Sequence, residues 1–205
     1  MMRALFFVVA ALAALYGGYW FVGERRVERG LAQALADLEA RGWDVGYASL
    51  DTTGFPSRFD TTITDLRLGD PGGRVVWATP AVQAYALSYR PNRVIVDLPP
   101  EQTLAVPGRP GEPAALALTL RSDRLRASGH VGIGRAWPLR AATVEGDGLV
   151  LLDALTGQEA RAGRVLLAIR QAGEQGGSYD LFLDAQGLLA PPMRTPADLR
   201  LDAAM

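Results

Sequence analysis

A run of uncharged residues from Ala4 to Val22 constrains this 205-residue chain more than any other feature. A helix of this length rises about 28 Å at 1.5 Å per residue, which is close to the hydrocarbon thickness of a bilayer. Arg3 precedes the run, and the charged residues Glu24-Arg25-Arg26 follow it. The pattern predicts a transmembrane anchor in residues 1–23.

Aromatic residues crowd the C-terminal end of this segment. Amphipathic aromatic rings prefer the headgroup level of a membrane. We therefore expect an interfacial belt formed by Tyr16, Tyr19, Trp20 and Phe21.

A cleaved signal peptide is the main alternative, because Ala11-Leu12-Ala13 resembles a small-residue cleavage site. Cleavage there would leave the apolar residues 14–22 at the new N-terminus, and the apolar run is longer than a usual signal core. A buried soluble helix fits poorly, because the segment has no polar face. We expect an uncleaved anchor.

The orientation in the membrane is less clearly encoded. Arg25, Arg26 and Arg29 follow the span, and a strict count of basic residues would place that side in the cytoplasm. Long domains, however, are translocated largely regardless of charge. We therefore expect a single-pass protein of the inner membrane whose β domain lies in the periplasm, although the charge count disagrees.

The composition excludes several kinds of chemistry. The chain has no Cys and no Lys, and His130 is its one histidine. It therefore has no disulfide, no thiol nucleophile, no Schiff-base lysine and no Walker A lysine. The net charge of −1 gives no basic field for nucleic acid, so nucleic acid is not an expected partner.

A second helical pattern covers residues 24–42. Val27, Leu31, Leu35 and Leu38 recur at helical spacing and form one apolar stripe. Gly42 is expected to end the helix as its C′ residue. This stripe predicts a helix packed on its own domain, with a partner-binding or membrane-lying helix as the alternative.

Residues 43–205 change to a period of two and predict a mainly β domain. The expected fold is a transmembrane helix that continues into the amphipathic helix, followed by an antiparallel curved sheet, sandwich or groove. Leu66 and Leu68 are out of step with Ile63, which predicts a bulge near Asp65. The expected strands are residues 43–47, 59–68, 75–77, 82–89, 94–98, 115–120, 125–133, 139–145, 149–154, 161–170 (or a short helix there) and 179–185.

Glycine, proline and aspartate punctuate these strands and predict turns. The expected turns and loops are 70–73, 90–92, a long loop at 99–113, a hairpin around Ser122-Asp123, and turns at 146–148 and 173–177. Leu199 and Leu201 restart the alternation before the sequence stops. This predicts an open sheet edge, an edge covered by another element, or a longer protein.

No pattern in the chain supports a catalytic, cofactor or metal site. His130 lies within a predicted strand, and no nucleophile motif accompanies it. Gly129, Gly132 and Gly134 lack the spacing and the following helix of a dinucleotide loop. A calcium loop beginning at Asp147 would have leucines at its third and fifth positions. The expectation is a protein that is not an enzyme and has no cofactor.

Two short segments stand out as candidate ligand-binding or architectural motifs. The first is the turn containing Gly54, Phe55, Pro56 and Arg58, and the second contains Tyr85, Tyr89 and Arg90, with the two tyrosines predicted on one strand face. Both are interpreted first as architecture. In the alternative interpretation, the guanidinium of Arg58 or Arg90 holds a phosphate headgroup.

These segments, together with the anchor, resemble an uncharacterised family of membrane-anchored, largely alphaproteobacterial proteins. The resemblance covers about the first half of the chain: Gly18-Tyr19-Trp20-Phe21, Gly42-Trp43, residues 54–59 and residues 85–91. It implies no catalytic residues, and the family's greater length implies a longer protein. The chain is also loosely similar to AsmA-like envelope proteins, and that similarity implies an apolar groove that holds lipid.

The leading expectation is a non-enzymatic envelope protein whose curved sheet binds membrane lipid or another apolar ligand. The alternative is a structural or adaptor protein of the inner membrane whose partner is an envelope protein. A hydrolase that uses carboxylates or serine is the third hypothesis, and it requires acidic side chains to converge in a cleft.

Overall fold

One long helix begins the protein, and a single sheet follows it. A computed structural model describes residues 2–108, 115–132, 138–173, 178–191, 193 and 195–204. Helix α1 runs without a break over Met2–Ala40, so the predicted anchor and amphipathic helix form one rod about 58 Å long. This helix is long and apolar enough to cross a bilayer.

The end of α1 matches the prediction at Gly42. The Gly42 N–H donates to the Glu39 carbonyl at 2.9 Å, and the Trp43 N–H donates to the Leu38 carbonyl at 3.2 Å. This is a Schellman motif, which requires the left-handed backbone that Gly42 adopts with a φ of 89°. The predicted stripe from Val27 to Leu38 is half-buried, and α1 packs on the first two strands.

Twelve strands form one sheet in which every pairing is antiparallel, so the predicted mainly β class is confirmed. They are β1 (Asp44–Gly46), β2 (Ser49–Thr53), β3 (Arg58–Gly69), β4 (Val76–Leu87), β5 (Arg90–Leu98), β6 (Glu101–Val106), β7 (Leu116–Arg121), β8 (Arg124–Val131), β9 (Leu139–Asp153), β10 (Glu159–Gln171), β11 (Tyr179–Leu188) and β12 (Ala197–Ala204).

The short strands are halves of longer ones. Strands β1 and β2 both pair with β3, and β5 and β6 both pair with β4. Strands β7 and β8 both pair with β9. The sheet is therefore nine strand positions wide, and it ends with β9, β10, β11 and β12 in order.

A line of interruptions crosses the whole sheet at one level, and we call it the crease. Asp65 in β3 has a φ of 51°, Gly148 in β9 a φ of 59° and Gly187 in β11 a φ of 62°. The strand registers bring these residues level with the other breaks. From one side of the sheet to the other, the crease consists of Ala48, Asp65, Pro80, Pro100, Asp123, Gly148, Gly163 and Gly187.

The crease explains why several predicted turns are wrong. Ser122-Asp123 was expected to reverse the chain, but β7 and β8 continue in one direction along β9. Residues 146–148 were also expected to reverse, but they lie inside β9, which is one strand of 15 residues. Left-handed backbone interrupts a strand without turning it back, so residues that are typical of turns here produce kinks.

Other boundaries also differ from the sequence prediction. The predicted loop 99–113 contains β6, and its residues 109–113 lie outside the described residues. The turn predicted at 90–92 is formed by Ser88-Tyr89, so Tyr89 leaves the strand face that it was expected to share with Tyr85. Residues 161–170 lie in strand β10 rather than in a helix. Residues 174–177 of the last predicted turn are outside the described residues.

Replacing Gly148 by Ala is expected to destabilise the sheet by about 1–3 kcal/mol. A Cβ at this position would overlap the side chain of Asp123, and the φ of 59° disfavours any side chain. Chemical denaturation in detergent micelles, followed by circular dichroism, measures the change. Gly30→Ala is the matched control, because Gly30 lies in α1 with open space around it and alanine favours a helix by about 1 kcal/mol over glycine. Equal effects of the two substitutions would contradict the role assigned to the crease.

Between the crease and the end of the sheet near residues 54–57, one face is apolar across eight strands. Directly paired residues share a face, so the registers define three rows. The apolar face consists of Phe59, Ala86, Val94, Gly129, Ala142, Ile169, Leu181 and Ala203; Thr61, Ala84, Val96, Ala127, Val144, Leu167, Leu183 and Leu201; and Ile63, Val82, Leu98, Leu125, Gly146, Val165, Ala185 and Leu199.

The apolar face continues beyond the crease on the same side. A Cβ on Gly146 would lie 2.9 Å from the side chain of Leu149, so these two residues share a face although they are three positions apart. Ile63 and Leu66 are also three positions apart, on either side of the left-handed residue Asp65. They share a face for the same reason. The bulge predicted near Asp65 is wrong, because the register to β4 is the same on both sides of this residue. The strand instead kinks there without an inserted residue, at the left-handed backbone of Asp65.

The opposite face carries most of the charged side chains, together with some apolar ones such as Leu166, Ile95 and Phe182. One of its rows contains Thr62, Gln83, Asp97, Arg126, Glu145, Leu166, Asp184 and Arg200. The sheet therefore has the two-sided alternation of a layer that contacts water on one side only.

No second layer covers the apolar face of β4 to β12 within the described part of the chain. Exposed aliphatic side chains lie on it, including those of Val144, Leu167, Leu199 and Leu201. The accessible surface is 13,711 Å², whereas a compact protein of 21.9 kDa exposes about 9,300 Å². The fold is therefore an open sheet and not a sandwich with a filled core.

Candidate functional site

The aromatic residues at the C-terminal end of the predicted span lie against the turn at residues 54–57, in a cluster centred on Trp20. The indole of Trp20 is 3% exposed and lies 5.9 Å from the ring of Phe59, nearly parallel to it. Its Nε1–H donates to the carbonyl of Arg58 at 2.8 Å. The sequence predicted Trp20 as part of an interfacial belt at the headgroup level. In the structure its ring is buried against the sheet, because Phe59 supplies an apolar surface and Arg58 an acceptor.

Two tyrosines of α1 bind the backbone of the same end of the sheet. The Tyr16 hydroxyl donates to the carbonyl of Pro56 at 2.9 Å, and the Tyr19 hydroxyl donates to the carbonyl of Ser88 at 2.8 Å. Ser88 is fully buried between these groups. We call the turns Gly54–Ser57 and Ser88–Tyr89 the proximal rim, because they lie against α1.

The remaining aromatic residues of the proximal rim extend the contact outward. Phe55 stacks on Phe21 at 6.0 Å and meets Trp20 edge-on at 5.4 Å, yet 55% of its surface remains exposed. Tyr89 is 65% exposed. The rim therefore carries two exposed aromatic side chains beside α1.

The structure thus brings together most of the residues predicted as separate motifs. Gly54, Phe55, Pro56 and Tyr89 lie at the rim itself, in contact with or beside the four aromatic residues of α1. Arg90 starts β5 directly after the rim, and Arg58 starts β3. Tyr85 is separate, because it lies on the polar face with its hydroxyl 2.9 Å from Gln83 Oε1.

A cleft of about 730 Å³ lies on the polar face beside the rim, lined in part by Arg58, Arg93, Arg126 and Asp97. Two nitrogens of Arg126 bind the two carboxylate oxygens of Asp97. The hydrogen bonds and charge of Asp97 raise the pKa of Arg126 above its ordinary value. Arg58 pairs with Asp60 at 3.1 Å. These pairings neutralise much of the positive charge in the cleft.

The apolar face opens next to this cluster. Phe59 belongs to its outermost row, and a Cβ on Gly23 would lie 2.6 Å from the Phe59 ring, so α1 packs directly against the corner of the face. Glu28 of α1 accepts a hydrogen bond from the Thr52 N–H at 2.8 Å, which occupies the outer edge of β2. The helix therefore forms one border of the apolar face.

The acidic residues considered for catalysis are spread over ion pairs and turns. Asp147 pairs with Arg124, Asp70 with Arg74 and Glu159 with Arg161, and Asp153 binds the turn that follows β9. His130 lies in β8 opposite Arg93 and Ala141. Among the described residues, no group of three His, Cys, Asp or Glu side chains is placed to hold a metal ion.

Sequence reasoning missed both the burial of Trp20 and the continuity of the apolar face. The burial of Trp20 was indicated in the sequence by two segments that are both rich in aromatic residues, 16–21 and 55–59. The signal for the second was the change of alternation at each glycine, proline or aspartate of the crease, which one strand alone cannot reveal.

The comparisons with known proteins give one match. A family model described as "Uncharacterized protein conserved in bacteria (DUF2125)" matches residues 20–205. No curated protein and no solved structure matches the chain. The matched region begins at Trp20, the residue that joins the helix to the sheet.

Proposed function

The chain belongs to the DUF2125 family of bacterial proteins, and from its structure we propose that it is a membrane-anchored, non-enzymatic protein that binds the acyl chains of lipid on the apolar face of its sheet. The observation that carries this proposal is the open apolar face itself. Three rows of eight residues form this face, with Thr61 as their one polar side chain. Its part from β4 to β12 has no covering layer within the described residues, and it lies beside a helix that can span a membrane.

Physical arguments favour a ligand on this face. Exposed aliphatic side chains cost free energy at about 25 cal/mol per Å² of apolar surface, so a continuous uncovered face favours an apolar ligand. Many residues of the face are small, including Ala84, Ala86, Gly129, Ala142 and Gly146. Small side chains leave a smooth surface against which an acyl chain can lie.

The location belongs to the same proposal. Residues 4–22 of α1 would cross the inner membrane once, with the sheet in the periplasm. The long apolar helix supports the single crossing. The sheet is assigned to the periplasmic side because long domains are exported largely regardless of flanking charge.

Native mass spectrometry of the full chain, purified in mild detergent, tests the proposal. The expected spectrum contains the protein with one or more bound phospholipid masses, and solvent extraction should recover the same lipids. A folded, lipid-free protein over a range of detergent concentrations would overturn it.

A second candidate function rests on the far edge of the sheet. Strand β12 pairs with β11, and no described strand pairs with its other side. An unpaired edge can accept a strand from an envelope protein. A photo-crosslinking amino acid at Arg200 of β12 should then capture a stoichiometric protein partner in membranes, whereas the same group at Arg124 of β8 should not. Capture of lipid alone would favour the first proposal.

A further inference from the structure

The contacts between α1 and the proximal rim lie within the part of the helix that would cross the membrane. The rim therefore cannot lie wholly in the water outside the membrane. The contacts begin at Tyr16, well inside the uncharged run. Only Ala4 to Leu15 lie before them within that run. Twelve helical residues span about 18 Å, well short of the hydrocarbon thickness of about 30 Å.

The charged residues at either end of the run determine how much of the helix must lie in the hydrocarbon of the bilayer. Arg3 and Glu24 bracket the uncharged run, and a spanning helix needs about 20 apolar residues. The whole run is therefore required. Tyr16 and Tyr19 lie six and three residues before Val22, which places them about 9 and 4.5 Å inside the end of the span.

We propose that the proximal rim enters the leaflet beside the anchor, so that Phe55 and Tyr89 lie among lipid chains and the apolar face opens into the bilayer. The inference rests on the membrane span of the proposed function. Helical side chains lean towards the N-terminus, which carries the hydroxyls of Tyr16 and Tyr19 deeper than their own Cα atoms. The carbonyls of Pro56 and Ser88 that they bind share that depth.

The side chains of the rim fit this location. Phe55 and Tyr89 are exposed aromatic residues, and such rings anchor proteins at the membrane interface. Arg90 lies at the adjacent strand end. Its long apolar stem allows the guanidinium group to reach a lipid phosphate while the strand end stays deeper.

Several backbone carbonyl groups at and beside the rim already have hydrogen-bond donors, as a medium poor in water requires. Carbonyl groups without partners are costly inside a membrane. Those of Pro56, Arg58 and Ser88 each accept a hydrogen bond from an aromatic side chain of α1. Non-helical backbone is tolerated at membrane depth where protein groups satisfy it in this way.

The consequence is a route for the ligand. Phe59, Ala86 and Val94 form the outer row of the apolar face directly above the rim. If the rim lies in the leaflet, this row begins at the level of the acyl chains. A leaflet lipid can then slide onto the sheet without exposing its chains to water.

The absence of cysteine makes the test direct. Single variants Tyr89→Cys and Phe55→Cys carry a nitroxide label in vesicles of phosphatidylcholine and phosphatidylglycerol. Collision with oxygen, which concentrates in lipid, is compared with collision with a water-soluble nickel chelate. Leu155→Cys is the matched control, because Leu155 is 51% exposed on the turn after β9, at the opposite end of the sheet.

The expected ratio of oxygen to nickel collisions is severalfold higher at positions 89 and 55 than at position 155. Equal ratios at positions 89 and 155, with the protein still in the vesicle fraction, would overturn the proposal. Phe55 contacts the rings of Trp20 and Phe21, so Tyr89→Cys decides the test if Phe55→Cys fails to fold. Native mass spectrometry of the same variants separates the two proposals. Bound lipid with a water-exposed rim refutes only the insertion, and an inserted rim without bound lipid refutes only the lipid site.

Discussion

Replacing Trp20 by Ala is expected to lower the free energy of unfolding by roughly 3–5 kcal/mol, the usual cost of truncating a buried Trp or Phe. The substitution removes the stacked contact with Phe59 and the edge-on contact with Phe55. It also leaves the carbonyl of Arg58 without its indole donor. Chemical denaturation in detergent micelles, followed by the circular dichroism of the sheet, measures the loss.

A graded series separates packing from hydrogen bonding at this position. Trp20→Phe keeps an aromatic ring and loses the N–H, so it should cost about 1 kcal/mol from the hydrogen bond alone, in addition to the lost ring volume. Leu15→Ala is the control, because Leu15 lies one turn earlier in α1 with its side chain exposed. If Trp20→Ala and Leu15→Ala had the same effect on sheet unfolding, the junction would not be the contact that holds the helix on the sheet.

The second large effect is expected on lipid binding when a charge enters the apolar face. Val144 lies near the middle of that face and is 36% exposed. A carboxylate there must lose water when an acyl chain covers it, at a cost well above the 1.4 kcal/mol that corresponds to about tenfold in affinity. Val144→Asp should therefore reduce the bound lipid at least about tenfold, as measured by native mass spectrometry and solvent extraction.

Thr143→Asp provides a closely matched control. Thr143 precedes Val144 in β9 and faces the other side of the sheet, opposite Ser128 and Ala168. Valine and threonine have nearly the same shape, so the two variants introduce the same charge at adjacent positions on opposite faces. Circular dichroism establishes that both variants are folded. Equal loss of lipid from both would remove the apolar face as the binding surface.

The elements that could be predicted from the sequence were those encoded by local patterns. The long apolar helix follows from an uncharged run, and its end follows from Gly42 after the last leucine of the stripe. The antiparallel mainly β sheet follows from alternation. Both kinds of pattern are read within one element, so no knowledge of a distant partner is needed.

Two of the wrongly predicted turns share one physical cause. Ser122-Asp123 and residues 146–148 have the composition of turns, and in isolation they predict reversals of the chain. In the sheet they lie beside Pro100 and Gly163 at one level, so neighbouring strands kink together and continue. Whether such a residue turns the chain or kinks a strand depends on pairing partners far away in sequence.

The junction shows the same limit from another side. Trp20 and Phe59 are 39 positions apart, and nothing in either local pattern pairs them. The sequence predicted the rim residues and the aromatic belt as two independent motifs. The structure joins most of them, because α1 lies along the edge of the sheet and brings its residues 16–21 to the turn at 54–57.

The unbroken course of α1 has a mechanical consequence. The helix passes from the apolar run to Ala40 without a hinge, and it is fixed to the sheet both at Trp20 and at Glu28. A helix that leans to match a thinner bilayer must therefore tip the sheet through the same angle. Membrane thickness would then control, through the tilt of α1, how close the proximal rim lies to the lipid.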